Sequence, residues 1–224
     1  MFTFRLLYLF FLIIILLSLM NVFFCKHFSY KKFYRKVLII GSAPYMNTWI
    51  KKHLQWFIDN NYDIVTFNNS WKLLPDTTNT TWHSSIDHSY AGTYIPSDSE
   101  KNSFKKYLIH TDTDKSVRLY KQSVSTMFFN VLYHYIYDSY VNKYNLHVVV
   151  IGCDMIYTKD KDTFYSHIPG NKAKNDPINR LGVVSLDKEC NHSFIVSKMY
   201  NVELYNASDN KSRLPYPRFT NHFT

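Results

Sequence analysis

Residues 36–69 constrain the fold more tightly than any other stretch of the chain. They read KVLIIGSAPYMNTWIKKHLQWFIDNNYDIVTFNN. Val37 to Ile40 are apolar and mostly β-branched, which suits a strand buried on both faces. Gly41-Ser42-Ala43-Pro44 breaks that pattern with small residues and a proline. Met46, Trp49, Ile50, Leu54 and Phe57 then recur at helical spacing, which predicts a helix of about four turns. Asp63 to Phe67 read as a second strand ending in Asn68-Asn69. Strand, small-residue turn, helix and strand open a parallel α/β sheet. A turn of this kind lets a ligand approach the backbone and points helix N–H groups at an anion, typically a phosphate. GSAP is not GxGxxG, however, and many such units bind nothing.

The same logic extends along the chain. Thr81 to Asp87 is a poorly alternating candidate third strand, and Lys105 to His110 a fourth. The longest helix is expected over about Ser123 to Lys143. Its inner face is Met127, Phe128, Val131, Leu132, Tyr135 and Ile136, with Ser123 or Ser125 as cap. His147 to Ile151 is a second fully apolar strand, ending in Gly152-Cys153-Asp154. Leu186 to Tyr200 reads as a helix and Val202 to Tyr205 as a last strand. Two buried strands that end in glycine, each tied to a long helix, predict a doubly wound, mostly parallel Rossmann-like sheet with helices on both faces. Ligands of such sheets sit outside the carboxyl ends of the strands, where Gly41 and Gly152 fall.

Ahead of this domain, Leu6 to Phe24 is a run of 19 uncharged, mostly apolar residues. That is long enough to cross a bilayer, and no small-x-small cleavage site follows it. The expected organisation is a single-pass anchor over residues 1–25, a basic tether over 26–35 and the α/β domain over 36–224. The lysines and arginines after the span favour a cytoplasmic domain. Five N-x-S/T sequons, at Asn68, Asn79, Asn191, Asn206 and Asn210, favour a lumenal one. A chain with 19 Asn and 35 Ser or Thr in 224 residues carries about three sequons by chance, so five decide little. The side of the membrane stays open. Cys25 sits at the membrane boundary, where a lipid could attach, and Cys153 and Cys190 are either a pair or buried thiols.

The formal net charge of +9 points to an anionic partner. No basic helix or repeat concentrates the charge, so nucleic acid is set aside in favour of a nucleotide-sugar or an anionic headgroup. Thr158 to Gly182 is a long polar stretch holding Tyr165 and His167, and His167 is the best general-base candidate there. Asp112-Thr113-Asp114 has the DxD form that shares a divalent cation, but the form is common by chance and a solvated turn is the preferred reading. His83, His88, His167 and His192 show no zinc spacing with the cysteines.

KVLIIGSAP with its helix, followed by DIVTFNN, resembles the start of the bacterial sialyltransferases of the Campylobacter type. In that family a strand leads into a G-x-G-P-S-like loop, and the second strand ends in a nucleotide-contacting Asn. Gly41, Ser42, Ala43 and Pro44 match the loop, and Asn68 or Asn69 matches the Asn. Ser123-Val124-Ser125-Thr126 matches the family's Ser/Thr turn, HVVVIGCDMIY its strand ending G-x-D, and VELYNAS its last strand. Tyr157 and Tyr165 match, in order, two tyrosines that bind the departing phosphate. Ala43 replaces the second loop glycine and Tyr45 the serine. His167 lies about 18 residues before Leu186, whereas the family's histidine directly precedes the penultimate helix. The resemblance implies a CMP-activated sugar donor, a glycan acceptor, no metal or cofactor, and direct displacement. His167 would be the base, with Ser123, Ser125 and Thr126 beside the nucleotide. Two other classes fit the residues: a non-catalytic membrane protein that binds a nucleotide or glycan, and a metal-dependent transferase using Asp112 and Asp114. A homo-oligomer is compatible with any of them.

Overall fold

The computed structural model describes residues 33–85, 97–110, 126–156, 186–208 and 211–220. Six strands form one all-parallel sheet in the order β4-β3-β2-β1-β5-β6. They are β1 (Tyr34–Ile40), β2 (Tyr62–Phe67), β3 (Thr80–Ser85), β4 (Lys106–His110), β5 (Asn145–Ile151) and β6 (Glu203–Asn206). The helices are α1 (Met46–Asp59), α2 (Asp98–Asn102), α3 (Met127–Asn142) and α4 (Leu186–Met199), with a 3-10 turn over Ser70–Leu73. This is an α/β, Rossmann-like sheet.

The chain steps outward from β1 to β4, then returns through α3 to lay β5 against the free side of β1. Right-handed crossovers in opposite directions put their helices on opposite faces. Leu38, Ile40, Val149 and Ile151 accordingly pack with Met46, Trp49, Ile50, Leu54 and Phe57 of α1. Val37, Ile39, Val148 and Val150 pack with Phe128, Leu132 and Ile136 of α3 and Val196 of α4. Both faces of β1 and β5 are thus covered, which is why neither strand alternates in sequence. The expectation that these two would be central, parallel and buried is met.

The elements differ from their expected spans in informative ways. β1 starts at Tyr34, so the last residues of the expected tether are part of the sheet. The Arg35 guanidinium donates from Nε to Asp63 Oδ2 at 2.7 Å and from Nη1 to Asp138 Oδ2 at 3.2 Å, joining β1, β2 and α3. The N-cap position of α3 is Thr126, whose side chain makes no capping hydrogen bond. The expected caps Ser123 and Ser125 lie outside the described residues, as does the apolar run 6–24. Among the described residues, no helix is long and apolar enough to cross a membrane.

β3 alternates poorly because polar residues are buried on it. Trp82 is fully buried among Trp71, Phe104 and Tyr107, and its indole N–H donates to the Asn68 carbonyl at 2.8 Å. His83 is also fully buried, 2.6 Å from His110 Nε2 through Nδ1 and 3.3 Å from the Tyr135 hydroxyl through Nε2. Burial, and then the neighbouring His110 and His134, hold its pKa well below the usual histidine value. Cys153 and Cys190 are buried free thiols. Asn206 is buried in β6, and its side-chain oxygen accepts from the Ser208 N–H at 3.0 Å, which removes that sequon as a modification site in the folded domain.

Candidate functional site

The strand order reverses between β1 and β5, and their carboxyl ends form the upper edge of the sheet. Ligands of open α/β sheets bind outside such a reversal. Two loops leave this point side by side, Gly41 to Pro44 from β1 and Gly152 to Asp154 from β5. The Gly41 N–H donates to the Ile151 carbonyl at 2.8 Å, and the Ala43 N–H to the Gly152 carbonyl at 3.2 Å. Gly152 has φ +72°. A Cβ at Gly41 would lie 2.2 Å from the Gly152 oxygen and 2.6 Å from Cys153 Sγ. The sequence reading took Gly41 as room for a ligand. The correction is that this room is filled by the backbone of the neighbouring loop, so Gly41 is required by the packing of β1 against β5.

Tyr45, at the start of α1, bridges the two loops. Its hydroxyl donates to Asp154 Oδ2 at 2.6 Å and lies 2.9 Å from Ser208 Oγ, just beyond β6. The Arg213 N–H donates to the Asp154 carbonyl at 3.0 Å. Asp154 is 8% exposed, yet its Oδ1 makes no hydrogen bond among the described residues. Burial raises its pKa, offset in part by the hydroxyls of Tyr45, Ser208 and Ser212. Burial and the same Asp154 contact raise the Tyr45 pKa, keeping the phenol a donor. The first turn of α1 carries no acidic residue to neutralise the positive end of the helix dipole.

On the other side of the reversal, β2 is followed by Asn68, which has φ +50°. Its N–H donates to the His83 carbonyl at 3.1 Å, and its carbonyl holds the Trp82 indole. Its side-chain Oδ1 is buried without a hydrogen bond among the described residues, as are Thr126 Oγ1 and Asn130 Oδ1, one turn apart at the start of α3. Ser70 ties the ends of β1 and β2 together, its hydroxyl 2.8 Å from the carbonyls of both Ile40 and Phe67. Buried polar atoms without partners are few in native proteins and call for an explanation. Here four of them, on Asp154, Asn68, Thr126 and Asn130, belong to elements ending or starting at the upper edge. Hydrogen-bonding ligand groups such as hydroxyls and amines would satisfy them.

Of the residues expected at the site, Gly41, Ser42, Ala43, Pro44, Asn68 and Asn69 share this edge. Ser42, Ala43 and Asn69 are buried there, Pro44 is exposed, and Thr126 heads α3. Tyr157, Tyr165, His167, Ser123, Ser125, Asp112 and Asp114 lie outside the described residues. Among those described, no group of three His, Cys, Asp or Glu is placed to hold a metal ion. Sequence reasoning missed the Tyr45–Asp154–Ser208 link, whose members are 109 and 163 residues apart. Its only signal was the G-x-D spacing at the end of β5. Comparison of the chain with protein-family models, with curated proteins and with solved structures finds no match.

A buried carboxylate with one unsatisfied oxygen is a cost to the fold at neutral pH. Because the folded pKa of Asp154 lies above the unfolded one, its contribution to stability is most favourable below the ordinary carboxylate range and is lost as pH rises through the raised value. Asp154→Asn is therefore expected to keep or raise the melting temperature at pH 7, with the difference from wild type shrinking under acid. Melting curves across pH check this. A lower Tm for the variant at pH 7 would make Asp154 a structural residue.

Proposed function

We propose that the chain is a membrane-anchored glycosyltransferase of the sialyltransferase-like kind, moving a sugar from a CMP-activated donor to a glycan acceptor without a metal. The observation that carries the reading is the reversal between β1 and β5. There the two glycine loops lie along one strand-end edge with Asp154 Oδ1 and Asn68 Oδ1, which make no hydrogen bond among the described residues. The resemblance supplies the rest. In it, Ser42 to Pro44 with Asn68, Asn69, Ser123, Ser125 and Thr126 hold the nucleotide. His167 takes the acceptor's proton, and Tyr157 and Tyr165 steady the departing phosphate in place of a cation. The anchor is residues 6–24.

The test is a thermal-shift panel on the full chain in detergent, with CMP, UDP and GDP, each with and without Mn²⁺. A ligand that binds only the folded state adds about 2.7 kcal/mol at a hundredfold excess over its Kd. CMP is expected to raise the Tm by several degrees with or without Mn²⁺, and UDP and GDP to do little. A shift confined to UDP or GDP with Mn²⁺ would replace the reading with a metal-dependent transferase.

A further inference from the structure

We infer that the lower edge of the sheet, where the strands begin and α1, α3 and α4 end, rests on an anionic lipid surface. The inference builds on the reading of residues 6–24 as a membrane span. Each of these three helices ends at the lower edge with a large apolar side chain in solvent. Ile58 closes α1, Tyr140 and Val141 close α3, and Met199 closes α4, 70% exposed. These residues come from both faces of the sheet, so they serve neither core. The ends of α3 and α4 meet through Tyr140 and Tyr200, whose ring centroids are 5.2 Å apart.

Charge identifies anionic lipid as the occupant. Lys106 starts β4, Lys143 follows α3 and Lys198 lies in the last turn of α4, all exposed. The Lys143 ammonium sits 4.1 Å from the Tyr140 ring centroid and that of Lys198 5.1 Å from Phe194. Lysines laid over aromatic rings beside exposed apolar groups suit a headgroup boundary. The carboxylates at this edge are engaged within the protein. Asp63 is held by Arg35 and Lys105, Asp138 by Arg35 and Tyr144, Glu203 by Tyr34 and His147, and Asp59 by Gln55. β1 starts at this edge, and the strand-end crevice opens on the opposite side of the domain.

The experiment uses the full chain with Cys25→Ser, reconstituted in nanodiscs of phosphatidylcholine alone or mixed with phosphatidylserine. Val141→Cys, Met199→Cys and, as a control in the exposed first turn of α1, Asn47→Cys are modified with a membrane-impermeant maleimide. The expected result is slower modification at 141 and 199 in anionic discs than in zwitterionic ones, with 47 the same in both. Each lysine near an anionic surface is worth on the order of a fivefold change in the docking equilibrium. Adding Lys143→Ser and Lys198→Ser should therefore return the rates toward the zwitterionic values. Equal rates at all three positions in both discs would overturn the inference while leaving the anchor intact. A chain that does not co-elute with the discs would overturn the anchor reading and this inference with it.

Discussion

Gly41→Ala is expected to destabilise the domain by about 3–5 kcal/mol, from overpacking together with two strained or lost hydrogen bonds. The added methyl would meet the Gly152 oxygen at 2.2 Å, its carbonyl carbon at 2.6 Å and Cys153 Sγ at 2.6 Å. Two of these atoms are backbone, so the clash cannot be relieved by turning a side chain. The ends of β1 and β5 would have to part at the place where Gly41 and Ala43 donate to Ile151 and Gly152. Native domains hold only about 5–15 kcal/mol in total. A domain of this size should thus lose roughly 10 °C in Tm, and Gly41→Val should leave little folded protein. Chemical and thermal denaturation measure both variants. A wild-type melting temperature for Gly41→Ala would show that the two loops separate freely. Loss of nucleotide binding in a Gly41 variant would report unfolding, so the crevice is better probed at Asp154, whose replacement by Asn is expected to leave the fold intact.

Gly41 also marks how far the sequence could be read. Periodicity gave all five buried residues of α1, because one helix face either meets the sheet or does not. The two central strands were legible because burial on both faces leaves an unbroken apolar run. The reversal point followed from two such runs ending in glycine. The reason for Gly41 did not follow, because the group that fills its missing side chain is the backbone of Gly152, more than a hundred residues away. The polar interior at β3 was illegible for the same kind of reason. His83 looks like a surface residue until His110, Tyr135 and the α3 face close over it. Tyr45 stood out only as a mismatch to a family serine, whereas its hydroxyl contacts Asp154 and Ser208. Local pattern identifies which residues are buried, and long-range partners decide what a buried polar residue does.

The second large effect concerns catalysis. His167→Ala is expected to slow sugar transfer by about 10²–10⁴-fold, the range for a lost general base, while the CMP-induced rise in Tm is kept. Binding should survive because the nucleotide is assigned, in the proposal, to residues other than His167. Tyr157→Phe and Tyr165→Phe should each slow the same step by removing one hydroxyl from the departing phosphate. Asp112→Ala should change little, since the proposed chemistry draws its charge stabilisation from these donors and not from a cation held by Asp112 and Asp114.

The most direct test of the proposed function is release of CMP from CMP-sialic acid by the full chain in EDTA, wild type against His167→Ala. The account predicts turnover by the wild type undiminished by EDTA, and its loss in the variant with CMP binding retained. Turnover that EDTA abolishes and His167→Ala leaves intact would contradict it, as would a wild-type chain that binds CMP and never turns over the donor.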